Sequence, residues 1–124
     1  MNRIVFDNKT KFLIYIYKLS DQHQPVRSID LAKQMGLSKA SISMSLNKLV
    51  ECGLVQKEFY GDIFLSDKGQ QIAEKLYQEH CILNQFFKEK LHNTSDQADY
   101  NSLVCLSTFS QECIDQFIEY IKTN

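Results

Sequence analysis

Apolar side chains recur every three to four residues along most of the chain, which predicts a mainly helical fold. The first such stretch, about residues 8–19, ends before the polar segment around Pro25. Two shorter stretches follow, with a break between them at Gly36. The pattern predicts buried faces made of Phe12, Ile16 and Leu19 in the first helix, Leu31, Ala32 and Met35 in the second, and Ile42, Leu46, Leu49 and Val50 in the third.

The second and third predicted helices have the capping and turn residues expected of a helix-turn-helix. Ser28 and Ser38 stand where N-caps are expected, because their hydroxyls can accept a bond from a free backbone N–H. Gly36 suits the left-handed turn that ends a helix. Two short apolar runs around Tyr60-Gly61-Asp62 then predict a hairpin, or wing. The second helix of such a unit is built to lie in the major groove of DNA.

Three further helices are predicted beyond the wing. Ser66 should cap a long helix over about 67–90, a second should follow the loop at 92–95 and reach about Ser107, and Ser110 should cap the last. The predicted fold class is mainly α with a small β-wing. We expect a winged helix-turn-helix DNA-binding region at 1–66 and a helical dimerisation region at 67–124, continuous with each other in one compact unit.

The outward face of the predicted third helix carries small and polar side chains, which can approach base edges without steric obstruction. Asn47 is the strongest candidate base reader, because a carboxamide can pair with adenine through two hydrogen bonds. Basic and hydroxyl side chains nearby are candidates for phosphate contacts. The predicted DNA-contacting residues are Ala40, Ser41, Ser43, Met44 and Asn47 on the helix face, Ser38, Lys39, Arg27 and Lys48 at phosphates, and Lys57 and Tyr60 on the wing.

The charge distribution agrees with a DNA-reading head. Residues 1–60 carry nine Lys and Arg against five Asp and Glu, a net +4, whereas residues 61–124 carry five against ten, a net −5. No apolar run reaches membrane-spanning length and the first residues lack the apolar region of a signal peptide, so we expect a cytoplasmic protein without a membrane partner. No phosphate-cradling glycine loop or activated nucleophile marks an enzyme.

The four cysteines are Cys52, Cys81, Cys105 and Cys113. None forms a Cys-x-x-Cys pair, so a structural zinc site is not expected. In a cytoplasmic chain the simplest interpretation is reduced and mostly packed thiols. A thiol switch using Cys81, Cys105 or Cys113 stays open as an alternative.

With these motifs in place, the chain resembles the diphtheria-toxin-repressor and manganese-transport-regulator family. The resemblance covers residues 11 to about 90 and more weakly 95 to 121. It implies a homodimeric DNA-binding repressor controlled by Mn²⁺ or Fe²⁺. The residues that carry it are Ile16-Tyr17-x-Leu19, Val26-Arg27, Asp30-Leu31-Ala32, Met35-Gly36-Leu37-Ser38, Gly53-Leu54-Val55, Leu65-Ser66-x-x-Gly69 and His80.

The positions that match the family's metal ligands mostly carry side chains unsuited to a divalent ion. Mn²⁺ and Fe²⁺ favour several carboxylates and imidazoles, and here His80 is the ligand that still matches. The matching positions are Lys11 and Ile14 in the first helix, His80 and Asn84 in the fourth, and Leu103, Leu106 and Ser107 in the fifth, or Cys105, Thr108 and Phe109 after a shift of two residues.

We therefore expect a regulator that does not depend on a family-type metal site, and we assign no cofactor. Packing of Ile14 against Leu103 or Leu106 is expected to replace the ion. A site combining His80 with Cys105 or Cys113 stays open, as does a partly buried, hydrogen-bonded His80 that binds nothing.

The sequence thus predicts a dimeric, DNA-binding transcription repressor. Its C-terminal helices are unusually aromatic, as interface cores often are, and the predicted dimer interface comprises Phe86, Phe87, Phe109, Phe117 and Ile118. The alternative is a winged-helix adaptor that binds a protein partner and not DNA.

Overall fold

The computed structural model describes residues 8–20, 24–58 and 61–124. Tyr60, predicted to lie on the wing and to contact DNA, is outside these ranges. Among the described residues, no helix combines the length and apolar character needed to cross a membrane. The elements are α1 (Asn8–Leu19), β1 (Val26–Arg27), α2 (Ser28–Met35), α3 (Lys39–Glu51), β2 (Val55–Lys57), β3 (Asp62–Leu65), α4 (Asp67–Glu89), α5 (Ser95–Thr108) and α6 (Gln111–Thr123).

The predicted fold class is confirmed, and most helix boundaries agree with the sequence pattern. Ser38, Ser66 and Ser110 each accept a hydrogen bond from a backbone N–H in the first turn of the helix that follows. Gly36 ends α2 with a φ of 64°, the left-handed conformation expected of a glycine at that place.

The sheet is larger than the predicted hairpin. Strands β2 and β3 pair antiparallel as the wing, with Gln56 opposite Phe64. The strand β1, which was not predicted, pairs with the other edge of β3 and places Val26 opposite Ile63. This pairing joins the segment before the helix-turn-helix to the wing, and so it brings Arg27 to the sheet.

The prediction of Ser28 as an N-cap was wrong. The helix α2 begins at Ser28 itself, and Arg27 in the cap position makes no side-chain capping bond. The Ser28 hydroxyl instead donates to the carbonyl oxygen of Gly61 at 2.8 Å. Its role is to tie the start of α2 to the wing, because the strand pairing has brought Gly61 next to it.

Two apolar clusters form the core. The first joins α1, α2, α3 and the sheet with Ala73 of α4, and the second joins the later part of α4 with α5 and α6. The helix α4 contributes to both clusters and therefore connects them. Val50, predicted to be buried, is 39% exposed, because α1 and the sheet do not extend over that side of α3.

Candidate nucleic-acid interface

The outward face of α3 is free of contacts with the core. The predicted contact residues on this face are all exposed, and Met44 is 65% exposed. Ser41 is partly engaged at the start of the helix, since its N–H donates to the Ser38 oxygen at 3.2 Å and its hydroxyl accepts from the Ser38 hydroxyl at 3.1 Å. The face therefore offers an amide, hydroxyls and one flexible apolar side chain to a partner.

A cleft of about 350 Å³ lies between α3, the start of α2 and the sheet. Three cationic side chains from three elements line it: Arg27 of β1, Lys39 of α3 and Lys57 of β2. Among the residues described as lining the cleft, none is acidic. The resulting positive concavity beside an exposed helix is the kind of surface that attracts a phosphate backbone.

Lys48 is not part of this cleft. It lines a separate depression with Lys9, Phe12 and Cys52, on the α1 side of α3. Of the four cations predicted from the described residues, the structure thus brings three together and leaves Lys48 apart.

The wing contacts α3 directly. The Nζ atom of Lys57 in β2 donates to Oδ1 of Asn47 in α3 at 3.3 Å. Both residues were predicted from the sequence to contact DNA. Their contact with each other was not predicted, since ten residues and a turn separate them. The contact puts a wing cation beside the best candidate base reader.

Residues 5–63 match the family model described as the N-terminal DNA-binding domain of iron-dependent repressors. Over these residues, just under half of its length, the chain is similar to the iron-dependent repressor family. The resemblance inferred from the sequence is thereby confirmed, and the matched range contains the helix-turn-helix and most of the wing.

Several relatives of this repressor family align well beyond the winged helix. The transcriptional regulator PchR of Bacillus subtilis is 27% identical over 108 residues, covering 87% of this chain and 60% of PchR. The regulator MntR of the same organism is 24% identical over 117 residues, covering 90% of this chain and 80% of MntR. The manganese regulator SloR superposes with a TM-score of 0.75 at 28% identity, covering 94% of this chain and 55% of SloR. This chain thus spans less than two-thirds of PchR and of the SloR chain.

In this repressor family the ion-binding region would lie where α1, α4 and α5 meet, around His80. The His80 side chain is buried, with Nε2 at 3.8 Å from the Asp99 carboxylate and a buried Nδ1 that has no hydrogen-bond partner. Asp99 also accepts a hydrogen bond from the Asn84 amide. Asp99 was not predicted, because the positions that match the family's ligands lie one to two turns later in α5.

A competing positive charge, that of Lys18, lies near His80. Burial is the main cause that lowers the pKa of His80; the Asp99 carboxylate acts in the opposite direction, and the charge of Lys18 lowers the pKa. Lys18 lines the same depression as His80, Asn84 and Asp99. In α1 the matching Ile14 is 1% exposed.

The donor set at this junction does not fit a family-type Mn²⁺ or Fe²⁺ site. Such ions favour several carboxylates and imidazoles, whereas this junction offers one imidazole and one carboxylate beside the Lys18 cation. Within residues 8–20, 24–58 and 61–124, no three His, Cys, Asp or Glu side chains come together as metal ligands would.

The cysteines are less packed than the sequence analysis expected. Cys105 is buried, but Cys52, Cys81 and Cys113 are exposed. Cys81 and Cys113 lie on the outward faces of α4 and α6, and Cys52 lies in the turn after α3. Position in the fold, and not residue type, therefore decides their exposure. Burial raises the pKa of the Cys105 thiol, and nearby Cys113 raises it further.

The predicted interface aromatics form a cluster within the chain. The ring of Phe117 lies 5.3 Å from that of Phe86 and 6.3 Å from that of Phe87, both edge to face. Phe87 and Ile118 are 9% and 8% exposed, so they serve the chain's own second cluster first. The area left for a partner lies on Phe86 and Phe117, which are half-buried, and on Phe109, which is 44% exposed.

Proposed function

We propose that this protein is a homodimeric DNA-binding transcription repressor that acts in the cytoplasm. The observation that carries the proposal is the cleft where Arg27, Lys39 and Lys57 converge beside the exposed face of α3. The match of residues 5–63 to the DNA-binding domain of iron-dependent repressors supports the same conclusion. In this proposal α3 lies in the major groove and the cleft cations contact the flanking phosphates.

A salt titration of DNA binding tests the proposal. We expect the affinity for a duplex to fall linearly on a log–log plot against salt, because bound phosphates release their counterions. A dimer should also protect a palindrome whose half-sites lie about 34 Å, or a multiple of it, apart. If the protein bound no duplex at low salt, the winged-helix adaptor would become the better interpretation.

The homodimer part of the proposal rests on the α4–α6 side of the molecule. A groove of about 690 Å³ opens there, lined by the apolar side chains of Ile82, Phe86, Tyr120 and Ile121 among others. Tyr120 is 58% exposed and lies among these apolar side chains, while polar and charged residues complete the lining of the groove: Gln85, Glu89, Lys90, Lys122 and Asn124. An aromatic side chain in that position is typical of interface cores.

We expect Tyr120→Asp to convert the dimer to a folded monomer. Tyr120 is exposed, so the protomer core should tolerate the change, whereas an unpaired charge buried between two copies is costly. Sedimentation velocity measures the mass and circular dichroism the helix content. The control is Tyr100→Asp, which changes an equally exposed tyrosine on α5. A folded Tyr120→Asp dimer would remove α6 from the interface.

We also propose that DNA binding does not depend on Mn²⁺ or Fe²⁺. The support is the pairing of one imidazole with one carboxylate at the α1–α4–α5 junction, with Lys18 beside them and the buried Ile14 on α1. Permanent packing of α1 on α5 would then hold the head in place of an ion.

The measurement for this second proposal is duplex affinity in chelator and after addition of Mn²⁺, Fe²⁺ or Zn²⁺. We expect a change of less than about twofold, whereas a tenfold gain would correspond to about 1.4 kcal/mol of coupling. A tenfold gain with Mn²⁺ or Fe²⁺ that His80→Ala abolished would overturn the proposal. A gain with Zn²⁺ alone, lost in Cys105→Ser, would instead identify a thiolate site.

A further inference from the structure

We propose that Lys57 sets the base preference of Asn47, so that the two side chains together read guanine and not adenine. This inference rests on the proposed DNA-binding function and names the base that the interface recognises. Lys57 is thereby a specificity-determining residue on the wing, although the wing is otherwise expected to contact the backbone.

The contact between the two side chains fixes which end of the Asn47 carboxamide faces the wing. The Lys57 ammonium carries donors and no acceptor, so it must face the oxygen of the carboxamide and not its nitrogen. The 3.3 Å contact joins Lys57 Nζ to Asn47 Oδ1, which turns the amino group Nδ2 away from the wing. The pair therefore presents N–H donors from both residues.

The pattern of donors decides which base edge fits. Adenine offers an acceptor at N7 and a donor at its amino group, so a bidentate contact needs the Asn47 oxygen to accept from the base. Here the ammonium holds that oxygen, and the adenine amino group would face a cation. Guanine offers two acceptors, O6 and N7, which match two donors.

The surroundings favour the same base. Lys57 lines the cleft with Arg27 and Lys39, and none of the described lining residues is acidic, although Asp62 stands opposite Arg27 in the β1–β3 pair. The local potential is therefore positive on the side from which Lys57 approaches Asn47. An electronegative acceptor edge is attracted there, and a donor edge is repelled.

Selection from a randomised duplex library, with the dimer and with three variants, tests the inference. Asn47→Ala identifies the base pair that Asn47 reads, because preference is lost there. Wild-type protein should prefer guanine at that position by about tenfold or more. Lys57→Met keeps the length of the side chain and removes the charge, so the preference should change to adenine. The matched control is Lys75→Met, an exposed lysine on α4 that lies outside the cleft.

The outcomes separate this inference from the function on which it rests. An adenine preference in the wild-type protein, or a Lys57→Met variant with the same guanine preference, would overturn the inference and leave the DNA-binding function intact. A Lys75→Met variant that changed the base in the same way would overturn it too, because loss of any cation would then suffice. Failure of wild-type protein to enrich or retain any duplex would overturn the proposed function and this inference with it.

Discussion

Gly69→Ala should cost the protein most of its stability. Gly69 lies in the first turn of α4, directly over the backbone of Leu54 at the start of the wing. A Cβ at this position would overlap the Leu54 carbonyl oxygen and come within 2.9 Å of its carbonyl carbon. Backbone cannot move aside as a flexible side chain can, so α4 and the wing would have to separate.

We expect the loss in the free energy of unfolding to exceed the roughly 1–3 kcal/mol that is typical of overpacking. The free energy of unfolding, measured with urea and circular dichroism, gives the value. The control is Lys68→Ala, one residue earlier on an exposed position, for which we expect a change within about 0.5 kcal/mol. A Gly69→Ala protein with wild-type stability would mean that α4 does not approach Leu54 so closely.

Removing the three cleft cations together should have the largest effect on DNA binding. In the variant Arg27→Gln, Lys39→Gln, Lys57→Gln, a dimer loses six cations, of which the Arg27 and Lys39 pairs are four candidate phosphate contacts and the Lys57 pair contacts bases. At roughly 0.9 for each neutralised phosphate, the log–log salt slope should flatten by about 4. We expect affinity at 0.1 M salt to fall by about a hundredfold or more, since counterion release dominates such binding.

The matched control is Lys68→Gln, Lys75→Gln, Lys90→Gln, which removes the same charge from exposed positions on α4 and at its end. Fluorescence anisotropy with a labelled duplex measures both variants from low to high salt. The control should keep a slope within about 1 of the wild type. Equal flattening by the two variants would show that net charge, and not the cleft, accounts for binding.

Local signals in the sequence determined the helices and the turn between them. Serines before apolar-periodic segments correctly marked the starts of α3, α4 and α6, because an N-cap bond joins a side chain to a backbone group only three residues away. Gly36 marked the turn for a similarly local reason. Because these signals are local, the order of helices, turn and wing could be predicted from the sequence. That order also indicated the resemblance to the repressor family.

Contacts between distant segments were decided by tertiary structure alone. Ser28 has the local signature of a cap, yet the pairing of β1 with β3 brings Gly61 within reach of its hydroxyl. The same pairing places Arg27 beside Lys57, so the phosphate-facing cleft combines segments about thirty residues apart. Nothing in the local pattern specifies such a meeting, because each partner satisfies its own helix or strand without the other.

The same distinction applies to the candidate site residues. The sequence predicted which residues belong to the site, and the tertiary structure decided which of them are in contact. Sequence determined that Asn47 lies on the outward face of α3, since helical periodicity assigns faces. The tertiary structure decided that Lys57 holds its amide and that Asp99 approaches His80, since both depend on how elements pack. Periodicity within a helix repeats over a few residues, whereas the distance between two side chains on different elements depends on the packing of the whole core.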